Sequence, residues 1–162
     1  MKPRYAEEAN YWDTTVQSGN SQGEIIDLLN DFGAESVMFA QGNAGGRFAW
    51  MVRFHWNGAN YRFAFTPLQC AQPDQVNSYG GKRRTHTEQA KCQMGRIAVH
   101  FVKAILTAAE AQPGALFGFM ELPEAASGSG VPPVAAELDI STLIDAAPLF
   151  QLPVITLENP NP

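Results

Sequence analysis

Apolar and polar positions along this chain follow two rhythms, and the rhythm changes near Gly33 and again near Thr85. After the polar stretch Ser21-Gln22-Gly23-Glu24, apolar side chains at Ile25, Ile26, Leu28, Leu29 and Phe32 recur at helical spacing. This predicts a helix with Ser21 as its N-cap, Glu24 completing a capping box, and Gly33 stopping it as the C′ glycine. From Ser36 to Thr66 the period drops to two. Ser36–Gln41 reads as a first strand and Asn43-Ala44-Gly45-Gly46 as a turn. In Arg47–Trp56, residues Phe48, Trp50, Val52, Phe54 and Trp56 share one face, and Arg53 and His55 lie on the other with Ala49 and Met51. Asn57-Gly58 is a hairpin signal. Tyr61–Thr66 then returns, with Tyr61, Phe63 and Phe65 on one face and Arg62 and Ala64 opposite.

Residues 67–84 break both rhythms and read as a long polar connection. Such loops are uncommon inside compact domains and tend to be functional or disordered. Thr85 and Glu88 then form a second capping box, and 86–111 resumes the helical period. Its core face is expected at Met94, Ile97, Ala98, Phe101, Ile105 and Ala108, and Pro113-Gly114 ends it. Beyond it, 115–122 (ALFGFMEL) reads as a fourth strand and 127–133 as a loop. Residues 134–147 read as a short acidic helix with Leu138, Ile140, Leu143 and Ile144 apolar, before an extended end. The expected architecture is α+β in the order α-β-β-β-α: a three- to four-stranded antiparallel sheet packed on two main helices. An irregular arm (1–19), pinned by Tyr5, Tyr11 and Trp12, would precede a domain at 20–122. An acidic, Pro-rich extension (123–162) would follow it.

Composition adds bounds. A chain of 162 residues, 45% of them hydrophobic, suits one domain with a real core. It has no apolar run of about 18 residues and no apolar leader, so neither a membrane span nor a secretory signal is expected, and the expected location is cytoplasmic. Cys70 and Cys92 read as free thiols, with a bridge between them left open. The net charge of -5 is unevenly spread. Residues 1–103 hold all 11 Lys and Arg against 9 acids, whereas 104–162 hold 7 acids and no base. Such an end can discourage non-specific nucleic-acid binding, fold back over a basic face, or simply confer solubility.

Six of the basic residues lie between Lys82 and Lys103, against the single acid Glu88. Glycines let a backbone approach a ligand, and a helix N-terminus offers N–H groups and a positive dipole end. The candidate phosphate-binding set is therefore Gly80, Gly81, Lys82, Arg83, Arg84, Thr85 and Lys91, although P-loop spacing is missing. Arg96, His100 and Lys103, flanked by Gln89 and Gln93, form a secondary helical stripe, and Arg53 and Arg62 a secondary strand surface. Ordinary solvated charges are the favoured reading of the helical stripe and a routine one for the strand arginines. The aromatic strand face suits base stacking or, more simply, the core. His55, His86, His100 and the cysteines lack metal-ligand spacing, the acids are scattered, and no nucleophile motif occurs. No metal, cofactor or catalytic set is expected, and the chain reads as non-enzymatic.

The segments YAEEANYWDTTV, GEIIDLLNDFGAESVMFAQ, NGANYRFAFTPL, GKRRTHTEQAKCQMGRIAVHFVKAILTAAEA and FMELPEA resemble a family of small phage and prophage proteins, over about residues 5–145. That resemblance implies a compact α+β domain in a phage or mobile-element setting, and hence the host cytoplasm. The longer acidic end departs from it. The order helix, three strands, helix also resembles the double-stranded-RNA-binding domain, which places basic residues near the start of its second helix, where GKRRTHTEQAK stands here. The long 67–84 connection and the long second helix depart from that pattern. The leading expectation is a phage-type accessory protein that binds nucleic acid or a phosphate-bearing nucleotide through the basic loop and helix start. The alternatives are an anti-defence protein that binds a host defence protein or sequesters a nucleotide signal, and a structural homo-oligomer built through exposed aromatics.

Overall fold

The computed structural model describes residues 4–44, 46–122 and 134. The expected loop at 127–133, acidic helix and extended end lie outside these, Val134 apart. A 3₁₀ turn, Ala6–Glu8, precedes α1 (Ser18–Phe32), the strands β1 (Ser36–Ala44), β2 (Arg47–Trp56) and β3 (Ala59–Phe65), the short strands β4 (Val76–Tyr79) and β5 (Lys82–Thr85), and α2 (His86–Ala111). The fold is α+β, with an antiparallel sheet in the order β1-β2-β3 and a separate β4-β5 hairpin.

The sheet is a meander closed by tight turns. Asn57 (φ 50°) and Gly58 (φ 80°) place two consecutive positive φ values between β2 and β3, as a type I′ turn needs. On the inner face Val52 pairs with Phe63 and Phe54 with Tyr61. Trp50, Val52, Phe54 and Phe63 are almost wholly buried. Phe63 meets Phe101 of α2 edge-on at 5.7 Å and Phe119 at 5.0 Å. Each such burial contributes about 1.5–3 kcal/mol. The centre of the aromatic strand face is therefore core, with Phe48, Trp56 and Phe65 partly buried against it.

Four local expectations are corrected. Helix α1 begins at Ser18 with Gln17 as N-cap, so Ser21 lies inside the helix, fully buried, instead of capping it. Gly95 of α2 faces Ser21 so closely that a Cβ there would stand 2.9 Å from the Ser21 Cβ. The two helices cross at these small residues. Second, part of the 67–84 connection is ordered as the β4-β5 hairpin, turned by Gly80 (φ 58°) and Gly81 (φ 83°). Third, α2 keeps its expected limits and its Thr85–Glu88 capping box, but its buried side is rotated. Ile97 and Ala108 are exposed, and Val99, Val102, Leu106 and Ala109 are buried in their place. The helix packs on the sheet, on α1 and on the N-terminal arm at once, so one stripe does not describe it. Finally, the expected fourth strand is mostly a 3₁₀ segment, Pro113–Phe119, that buries Leu116. Only Met120, bridged to Tyr61, and Glu121, bridged to Val134, have strand pairing.

Candidate phosphate-binding cleft

The hairpin, the first turns of α2 and the start of α1 enclose an open cleft of about 350 Å³. Lys82, Arg83, Arg84 and Lys91 line it, together with the acid Glu88 and with Gln17, Ser18 and Cys92. Lys82 and Arg83 are exposed, and Lys91 is half-buried with its Nζ 4.3 Å from the centre of the Phe48 ring. Two further clefts differ in charge. One on the outer sheet face has Arg53 as its only Lys or Arg, and an apolar one between Phe65, Leu68 and Ile97 has none. The concentration of cations read from the sequence thus converges in space at Lys82, Arg83 and Lys91.

Arg84 also borders the cleft, but its side chain is buried. It is 8% exposed, and its Nη1 donates to Gln89 Oε1 at 2.9 Å. The same guanidinium reaches the carbonyls of Thr14 and Thr15, each at 3.4 Å. Alternation along β5 explains the split, since Arg83 and Arg84 must face opposite sides of the ribbon. Arg84 is a brace for the arm. The glycines also act structurally. A Cβ on Gly80 would lie 2.7 Å from Thr15 Cγ2, so this glycine seats the hairpin on the arm.

The start of α2, expected to receive the phosphate, is closed by the protein itself. Thr85 N–H donates to Glu88 Oε2 at 2.9 Å, and Glu88 N–H donates back to Thr85 Oγ1 at 3.2 Å. His86 N–H donates to the Gln75 carbonyl at 2.8 Å and Thr87 N–H to the Pro73 carbonyl at 3.1 Å. The donors that would hold an anion there are used. The start of α1 differs: no side chain caps it and its first turn has no acid. It supplies Gln17 and Ser18 to the cleft wall. The positive end of a helix dipole therefore faces the same space as the three side-chain cations.

The secondary positions lie elsewhere. Arg96 pairs with Glu24 at 2.9 Å, His100 stacks on Tyr11 at 4.8 Å, and Lys103 is exposed. Arg53 pairs with Glu121 at 2.7 Å on the outer sheet face, with Arg62 in register beside it. None of these five lines the cleft. Gln89 and Gln93, expected on a polar stripe, are fully buried. Gln89 Nε2 donates to the carbonyls of Trp12 and Thr14 at 2.6 and 2.9 Å, and Gln93 Nε2 to those of Ala6 and Asn10, both at 2.9 Å.

A second latch holds the arm through Glu7, which sequence reading missed. Its carboxylate accepts from the N–H groups of Ala71 and Gln72 and lies 2.9 Å from His86 Nδ1. Burial works to raise its pKa, but these bonds outweigh it and hold the carboxyl at about 2. The only sequence signal was an acid beside an aromatic-rich arm. Burial, with Glu7 nearby, pushes the Cys70 thiol up, and burial likewise raises the Tyr79 phenol. Both cysteines are free. Among the described residues no group of His, Cys, Asp and Glu is placed to hold a metal ion, and no helix is long and apolar enough to cross a membrane.

No family model matches this chain, and neither a curated protein nor a solved structure shows significant similarity to it.

Proposed function

We propose that this protein is a non-enzymatic accessory factor that binds phosphate groups, in nucleic acid or in a nucleotide, at the cleft between α1, β5 and α2. The observation that carries the reading is the convergence of Lys82, Arg83 and Lys91 on one cleft with the uncapped start of α1. Cations and a helix N-terminus acting together suit an anion better than either does alone. The cleft is open and lies toward the small end of ligand-site volumes, which fits a phosphate with part of its attached sugar better than a whole buried cofactor. The resemblance to small phage proteins supplies the setting of this proposal, an accessory role in a host cell.

Fluorescence anisotropy with labelled single-stranded and double-stranded oligonucleotides and with a labelled nucleotide, each across a salt series, tests it. Affinity should fall steeply with salt for whichever probe binds. Replacing Lys82, Arg83 and Lys91 together by Ala should flatten the logarithmic salt slope by roughly 2–3 units, about 0.7–0.9 per lost phosphate contact. Unchanged affinity and slope in that variant would overturn the reading.

A further inference from the structure

One acid, Glu88, lines the cleft with the cations, and we propose that it makes the cleft a site for ribose phosphates, its carboxylate accepting the 2′-hydroxyl of the sugar that carries the bound phosphate. This rests on the phosphate reading above and names the class of ligand. A carboxylate repels the anion that Lys82, Arg83 and Lys91 attract, so a site for bare phosphate gains nothing from it. Nor does the capping of α2 call for its charge. Glu88 Oε2 accepts the Thr85 N–H at 2.9 Å, and glutamine at the same position of a capping box does this equally. Among the described residues the carboxylate makes no ion pair with the cations, and Oε1 accepts no hydrogen bond. Glu88 is also exposed. The cleft therefore holds a charged acceptor, one oxygen of it unused, beside its cations.

Position favours a sugar hydroxyl as the donor. Glu88 and Lys91 are three residues apart on α2, so their Cβ atoms stand about 5–6 Å apart on one face of the helix. A phosphate held by Lys91 brings the hydroxyls of its own sugar within reach of Glu88. A base is the poorer fit. Among the described residues no aromatic lines the cleft, so nothing there stacks a base, and Lys91 covers the Phe48 ring at 4.3 Å. The volume of about 350 Å³ suits a phosphate and its sugar with the base left outside. The 2′-hydroxyl is the group that separates ribose from deoxyribose, and an acceptor that ribose satisfies is left unpaired by deoxyribose. The same chemistry occurs in a free ribonucleotide and in an RNA strand.

Isothermal titration calorimetry on the full chain tests this with five ligands. These are an RNA strand, a deoxyuridine-containing DNA strand of the same base sequence, a ribonucleoside 5′-monophosphate, its 2′-deoxy counterpart and inorganic pyrophosphate. The ribose form should bind roughly tenfold more tightly than the deoxyribose form. Whichever pair shows that preference, strand or mononucleotide, identifies the source of the ligand. Glu88→Gln keeps the cap with its amide oxygen and should reduce the preference below about twofold. It should also tighten pyrophosphate binding, because the repelling charge is gone. Pyrophosphate binding with equal affinity for ribose and deoxyribose forms in the parent would overturn this proposal, whatever the variant does, and leave the phosphate reading standing. A ribose preference that Glu88→Gln leaves unchanged would overturn it as well. Absence of pyrophosphate binding would overturn both.

Discussion

Lys82 and Arg83 carry their charge outward, while Arg84 carries its charge under the N-terminal arm, and substitutions should separate the two roles. Arg84→Ala takes a donor from Gln89 Oε1 and the Thr15 carbonyl in a largely buried place, and leaves the Thr14 carbonyl to Gln89 Nε2. A loss of about 2–4 kcal/mol in urea-unfolding stability is expected. Lys82→Ala and Arg83→Ala should stay within about 0.5 kcal/mol of the parent, because both side chains are exposed. Glu7 gives a pH-dependent counterpart. Its folded pKa of about 2 lies below the ordinary 4.5, so the stabilisation it brings is present above about pH 4.5 and is lost as pH falls toward 2. Glu7→Gln should cost about 2 kcal/mol at neutral pH, and its difference from the parent should shrink across that acid window. A difference that stays constant from neutral pH to pH 2 would contradict the latch.

Helix α2 and the hairpin β4-β5 differ in how far the sequence reveals them. The limits of α2 are set by local chemistry, a Thr85–Glu88 capping box and a Pro-Gly stop, and local chemistry can be read from spacing. Its buried side is set by three neighbours, and no single apolar stripe records that. The hairpin was missed because its strands are four residues each and bury only Tyr79 and Arg84, too little for a period of two to stand out. Gly95 tests the crossing of α1 and α2. Alanine is the better helix former by about 1 kcal/mol, yet its Cβ would stand 2.9 Å from Ser21 Cβ and 3.1 Å from the Trp50 ring. Overpacking of this kind costs about 1–3 kcal/mol, so Gly95→Ala should lower the melting temperature in spite of the propensity gain.

At the scale of the molecule, the cleft joins chain segments that are far apart in sequence. Lys82, Arg83 and Lys91 were legible as a charge run, but their division from Arg84 depends on which side of a short strand each faces. The contribution of Gln17 and Ser18 is hidden because the sequence places the cap of α1 four residues late, since Ser21 with Glu24 imitates a cap while serving the helix crossing. The closure of the α2 start depends on Pro73 and Gln75, which a linear reading leaves in a loop. Phosphate is therefore expected at α1, not at α2. Amide chemical-shift mapping of the full chain titrated with inorganic pyrophosphate distinguishes the two most directly. Saturable shifts at Ser18, Gly19, Arg83 and Lys91, with His86 and Thr87 unmoved, are the expected result. Shifts centred on His86 and Thr87, or no saturable shift around the cleft, would contradict it.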